Sequence, residues 1–170
     1  MSTIQSRPLP EGTLLDSYRR NGAYADCYTT DITGEVSHSR FIEAFYTTRV
    51  FKLERWILRL AVSRPSTDAQ AGQLAQGDID SFAAWSVEAR RENELLLCDL
   101  HGHTRSWLMT ESLDGGGTRL YFGSAVVPSR DPRTNVTRMG SGFRALLGFH
   151  KLYSRILLGA ARARLESGAA

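Results

Sequence analysis

Apolar residues recur at helical spacing most regularly near the C-terminus, over residues 140–165 (GSGFRALLGFHKLYSRILLGAARARL). On a wheel of ~100° per residue, Arg144, Gly148, Lys151, Arg155, Gly159, Arg162 and Glu166 form one narrow arc. Phe143, Leu146, Phe149, Tyr153, Leu157, Ala160 and Ala161 fall opposite. The pattern predicts a helix of ~39 Å with one solvated stripe and a wider one that another layer must cover.

Four strand patterns precede it, over 81–91 (SFAAWSVEARR), 94–100 (ELLLCDL), 104–113 (TRSWLMTESL) and 118–127 (TRLYFGSAVV). Glu92-Asn93, His101-Gly102-His103 and Asp114-Gly115-Gly116-Gly117 separate them. Connections so short, carrying turn formers, predict an antiparallel meander, because parallel neighbours need long crossovers. A polar loop, 128–140, joins the meander to the last helix.

Earlier in the chain the elements are shorter. Leu14, Leu15 and Tyr18 predict a helix over 11–20, stopped by Asn21-Gly22, and 23–32 (AYADCYTTDI) reads as a first strand. Ser37 or Ser39 can cap a helical region over 40–62, interrupted near Thr47-Thr48 where adjacent β-branched residues weaken a helix. Pro65 bars its continuation, and a further short helix runs from Thr67 or Asp68 to about Ala75, closed by Gly77. The economical assembly is α+β: a curved antiparallel sheet wrapped around a long C-terminal helix, with a short helical insert after the first strand. Residues 1–10, with Pro8 and Pro10, are expected to be a loose arm, and 11–167 a single domain.

Composition narrows the function classes. A chain of 170 residues, 42% hydrophobic and 23% charged, suits one domain with its own core. The net charge is only +3, and no basic run is interleaved with aromatics, so no nucleic-acid groove is expected. No apolar run reaches the ~20 residues that span a bilayer, and the N-terminal stretch MSTIQSRPLPEG has no apolar signal core. The expectation is a soluble cytoplasmic protein. Cys27 and Cys98 each lie in an apolar strand and read as buried free thiols, with a disulfide between them left open.

The strings AFYTTRVFKLERWIL, FAAWSVEARRENELLLCD, TRSWLMTES, GTRLYFGSAVVP and FRALLGFHKLYSRILL, in this order, resemble the SRPBCC or START-like superfamily, and within it a group of uncharacterised bacterial proteins. The resemblance covers residues 23–165. It implies the helix-grip fold shared with polyketide cyclases, and a ligand held between the sheet and the last helix. The five strands counted here, fewer than that fold usually has, imply a small ligand.

Candidate chemistry is sparse. His150 falls on the apolar side of the last helix with Tyr153 beside it, where an imidazole could bind a ligand or move a proton. A core histidine with a structural hydrogen bond is the competing reading. On the third meander strand, Arg105, Trp107 and Met109 share one face and Ser106 and Leu108 the other. If the Trp107 face is concave, Trp107 and Tyr121 line the pocket, and Arg105 is a buried cation needing a carboxylate or an anionic ligand. If the Leu108 face is concave, Arg105 is solvated. His101 and His103 flank a turn glycine with no third ligand at a recognisable spacing, so no metal is expected. Glu54-Arg55 and the charged run 88–91 read as solvated faces or as ion pairs of little net worth, and Gly115 to Gly117 lies between strands, wrongly placed for a phosphate loop.

The expected function is binding of a small apolar or weakly acidic molecule between sheet and helix, at His150, Trp107, Tyr121, Arg105 and Tyr153, with no cofactor. The alternatives are a protein-interaction module with a filled core and a cyclase- or hydratase-like enzyme on the same scaffold. No Ser/His/Asp arrangement selects a reaction.

Overall fold

A computed structural model describes residues 3–52, 66–127 and 143–168, with the side chains of 143–150 excepted. In chain order its elements are β1 (Gln5–Ser6), α1 (Asp16–Arg20), β2 (Tyr24–Ile32), α2 (His38–Tyr46), α3 (Asp68–Gln76), β3 (Ser81–Phe82), β4 (Trp85–Arg91), β5 (Glu94–Asp99), β6 (Thr104–Ser112), β7 (Thr118–Val126) and α4 (Phe143–Ser167). The strands form one antiparallel sheet in the order β1-β2-β7-β6-β5-β4-β3. The protein is thus α+β, with a seven-stranded sheet where five strands were counted, and a long C-terminal helix. The expected loop 128–140 and the second part of the helical insert, with Glu54, Arg55, Trp56, Leu58 and Leu60, lie outside the described residues.

The two extra strands have local causes. Residues 81–91 are a hairpin rather than one strand: β3 and β4 pair through Phe82 and Trp85 across Ala83-Ala84, and Ala83 takes a φ of 53°. An alanine there gives no sign of the left-handed conformation that glycine would advertise. The N-terminal arm, expected to be loose, pairs Gln5 and Ser6 with β2, donates the Arg7 amide to the Cys27 carbonyl at 3.0 Å, and buries Leu9. The helix expected over 11–20 is one turn long, because Gly12 at φ 75° belongs to a run of turns before Asp16.

Other boundaries follow their side chains. Ser37 caps α2 by accepting from the Arg40 amide at 3.3 Å. The helix breaks at the two threonines, as expected. Thr47 Oγ1 donates to the Glu43 carbonyl at 2.7 Å, and Thr48 Oγ1 accepts the Phe51 amide at 3.1 Å, starting a new helical turn over 49–52. Thr67 and Gln70 form a capping box on α3, which Gly77 ends at φ 87°.

Each face of the sheet is covered by a different layer. Tyr28, Ile32, Leu95, Leu97, Leu108, Leu120 and Phe122 pack with Phe41, Phe45, Leu74, Leu157 and Leu158 of the helices. On the reverse face Cys27, Leu96, Trp107, Met109, Tyr121 and Ala125 pack with Leu9 and Leu15 of the N-terminal segment. Gly123 makes that second layer fit. A Cβ there would lie 2.8 Å from both Leu15 Cδ2 and Trp107 Cε3. On α4 the buried positions are Ser154, Leu157, Leu158, Ala161 and Leu165, whereas Tyr153 is half-buried and Lys151, Arg155 and Glu166 are exposed. The covered stripe is therefore rotated from the wheel's centre toward Ser154 and Leu158.

Candidate functional site

Alternation along β6 decides where the expected site residues go. Leu108 belongs to the layer beneath α4, so Arg105 and Trp107 point to the reverse face. Trp107 is fully buried there, its Nε1 donating to Glu94 Oε2 at 2.8 Å. Tyr121 lies beside it, ring centroids 6.0 Å apart, with its hydroxyl on Glu111 Oε2. Burial pushes that phenol up to about 12, and the Glu111 carboxylate adds to the shift.

With the Leu108 face beneath the helices, Arg105 was expected to be solvated; it is instead covered on the reverse face and paired within the chain. Its Nε lies 2.6 Å from Glu88 Oε2 and 2.9 Å from the Tyr18 hydroxyl, and its guanidinium sits 4.7 Å over the Tyr18 ring. The Tyr18 hydroxyl in turn donates to Glu88 Oε1. Of the two readings for Glu88, the ion pair is the one formed, and with the Tyr18 hydroxyl it links α1 to the sheet. Trp107, Tyr121 and Arg105 are separated from Tyr153 by the thickness of the sheet, so the expected lining is not brought together. His150 falls outside the residues whose side chains are described.

The inner face has its own polar end. Cross-strand register aligns Asp26, Ser124 and Ser106 in one row, next to the apolar row of Tyr28, Phe122 and Leu108. Asp26 Oδ1 accepts from the Ser124 amide at 3.2 Å and from its hydroxyl at 2.6 Å, and Oδ2 accepts from Tyr24 at 3.4 Å. Ser106 Oγ lies 3.4 Å from the Tyr46 hydroxyl of α2. Burial, then the Asp26 charge, raises both neighbouring phenols, Tyr28 to about 12 and Tyr24 further. Both therefore remain protonated donors near neutrality.

A cleft of about 540 Å³ opens between this end of the sheet and α4. Arg7, Tyr24, Asp26, Tyr28, Lys151 and Arg155 form much of its wall. The Arg155 guanidinium lies 5.6 Å from the centre of the Tyr28 ring. One residue before it, the Ser154 hydroxyl is fully buried with no hydrogen-bond partner among the described residues. Three cations around one carboxylate, with two phenols, form a surface suited to an oxyanion attached to a partly apolar body.

No protein-family model, curated protein or solved structure matches the chain. Among the described residues no three His, Cys, Asp or Glu side chains are grouped as a metal site. His101 and His103 flank the β5–β6 turn at Gly102, their ring centroids 6.3 Å apart. Both cysteines are free. Cys27 and Cys98 sit on β2 and β5, three strand spacings or ~14 Å apart, beyond the ~7 Å that a disulfide bridges. No helix among the described residues is long and apolar enough to cross a membrane.

Asp26 was not singled out in the sequence, where the stripe holding Lys151 and Arg155 reads as a solvated helix face with phosphate contact as its alternative. One signal was present: Tyr24, Asp26 and Tyr28 alternate along one strand, which puts a carboxylate between two aromatics on one face.

Proposed function

We propose that the protein binds a small molecule bearing an acid group, in the cleft between α4 and the β1–β2 edge of the sheet. The observation that carries this reading is the convergence of Arg7, Lys151 and Arg155 on a cleft of about 540 Å³. That volume lies within the ~300–1,000 Å³ usual for small-molecule sites. Asp26 offsets only part of the cationic charge. The Tyr24 and Tyr28 rings offer an apolar wall with hydroxyl donors. A ligand between sheet and last helix is also what the SRPBCC or START-like resemblance implies, and the α+β arrangement, with its C-terminal helix across the sheet, is consistent with a helix-grip. His150 stands one helical turn before Ser154 and would extend the site along α4, with Tyr153 beside it.

Thermal melting against a panel of aliphatic and aromatic monocarboxylates tests this. Some acids should raise the melting temperature saturably, their uncharged amides should not, and Lys151→Ala/Arg155→Ala should abolish the response. If no acid stabilises the wild type, or the double variant responds equally, the proposal fails.

A second reading, an interaction module, has its own observation. Leu152 and Ile156 are exposed one turn apart on α4 (59% and 47%), while the described interior is filled by packed rings such as Phe45, Tyr46, Phe51 and Phe122. Self-association that is lost in Leu152→Ser/Ile156→Ser would favour it.

A further inference from the structure

At the other end of the inner face, α2, α3 and the β4–β5 hairpin enclose a second cleft, of about 780 Å³, walled by residues that include Ser37, His38, Gln76, Arg90, Glu92 and Thr110. We propose that this cleft is a second binding site, for the carboxylate or phosphate group of a small molecule, with Arg90 as counter-charge and the His38 imidazole as hydrogen-bond donor.

Three independent features support it. First, His38 is only 9% exposed, yet neither ring nitrogen has a hydrogen-bond partner among the described residues. Buried polar groups in folded proteins are nearly always paired, because an unpaired one forfeits its hydration. An imidazole on a cleft wall recovers that loss when a ligand atom meets it. Burial and the Arg90 charge hold its pKa down at about 4, so near neutrality the ring is uncharged and presents one N–H and one lone pair.

Second, Arg90 is pre-positioned and not neutralised. Its Nη2 donates to the Leu74 carbonyl at 2.7 Å, in the last turn of α3, where the helix dipole favours a cation. That bond fixes the guanidinium, and its other N–H groups have no acceptor among the described residues. The neighbouring Arg91 is different: it is spent on Glu94 at 2.9 Å and on the Gly12 carbonyl. Glu92 on the exposed hairpin turn is the one carboxylate among the lining residues, so the charge balance favours a singly charged group over a multiply charged one.

Third, His38 opens α2, a helix of nine residues. Ser37 occupies the Arg40 amide, and the amides of His38 and Ser39 have no acceptor within the helix. These donors and the positive end of the helix dipole add to the attraction for an oxyanion.

The test is NMR of the full chain, following the His38 ring and the Arg90 Nε–H during separate titrations with inorganic phosphate and with acetate, and with chloride at matched ionic strength. One oxyanion should move both signals saturably, and chloride should not. Preference for phosphate or for acetate identifies the source of the group. Arg90→Gln should weaken binding at least about tenfold, the loss expected for one charge-assisted hydrogen bond. Lys151→Ala/Arg155→Ala, at the opposite end of the sheet, should leave this response unchanged, so the first site can fail without this one. No saturable shift of His38 in the wild type, or an equal response to chloride, overturns the proposal. So does undiminished affinity in a folded Arg90→Gln variant.

Discussion

Glu94 ties the N-terminal segment to the sheet, and a graded pair of substitutions should show how much that tie is worth. Its carboxylate is 4% exposed. Oε2 accepts both the Leu14 amide and Trp107 Nε1 at 2.8 Å, and Oε1 accepts Arg91 Nη1 at 2.9 Å. Glu94→Gln can keep its oxygen at the Oε2 position and turn its amide toward Arg91. Arg91 is half-exposed and can swing into water, so one charge-assisted bond is lost while the two at the Oε2 position persist as neutral ones, at a cost of ~1.5–3 kcal/mol. Glu94→Leu removes both acceptors. The Trp107 indole N–H and the Leu14 amide are then stranded beneath the arm, at ~1–3 kcal/mol each, for a total of ~2–6 kcal/mol. Urea unfolding followed by tryptophan fluorescence measures both. The leucine variant should melt roughly 4–24 °C lower, at ~2–4 °C per kcal/mol for a chain of this size. It should also expose the 7–22 segment to protease before global unfolding. A leucine variant within ~0.5 kcal/mol of wild type would refute the reasoning, as would a glutamine variant equally damaged, since the two differ in how many buried donors they leave unpaired.

His38 should make the fold acid-sensitive in a defined window. Its pKa is about 4 folded and 6.5 unfolded, so the unfolded chain binds more protons between these values; stability is full above about pH 6.5, declines on acidification, and stops declining from this source below about pH 4. The shift corresponds to ~3 kcal/mol, and the stability difference between wild type and His38→Gln should change by that order between pH 7 and pH 4, and a pH-independent difference would show the ring is not buried neutral. Asp16, lowered mainly by the Gly12 amide, and Asp31, lowered mainly by Arg119, lose their contributions only below the ordinary carboxylate range, outside that window. Alkylation without reductant of the unfolded chain should modify both cysteines, while in the folded state Cys27, its thiol raised by burial to about 12, should be protected; a mass lacking either adduct after unfolding would mean the thiols are oxidised.

How far the sequence could be read depended on whether the signal was local. Strands β5 to β7 are short runs rich in strand-forming apolar residues that end at turn formers, and α4 carries a long helical period, so their positions were legible within a few residues. The Ala83-Ala84 turn carries no such mark, because its φ of 53° is imposed by the pairing of Phe82 with Trp85. The N-terminal arm looked loose because two prolines and few apolar residues argue nothing by themselves. Its order comes from Leu9 and from bonds to β2 and Glu94, contacts some 20 and 80 residues away. The face of β6 could not be chosen by alternation, since Arg105-Trp107-Met109 and Ser106-Leu108 both contain residues able to pack. Coverage by the arm and α1 settles it, and with it the exclusion of Trp107 from any site beneath α4.

Covering both faces of one sheet has a consequence for function. Among the described residues, a sheet sandwiched between helices on one side and a bonded arm on the other has little room at its centre, where Tyr28, Leu95, Leu108, Leu120 and Phe122 meet the helices. Described openings lie instead at its ends, where the rows become polar: Asp26, Ser124 and Ser106 at one end, Thr110 and Arg90 at the other. Polar side chains there cost less than they would at the centre, since each can reach water, a backbone partner or a ligand. The same substitution should therefore act differently by position. Removing a methylene group from the central rows, as in Leu108→Val, leaves a void and costs stability without touching either cleft. Removing a charge at an end, as in Arg90→Gln, changes what the cleft attracts while the apolar centre stays packed. Stability and binding are in this way carried by different rows of the same strands.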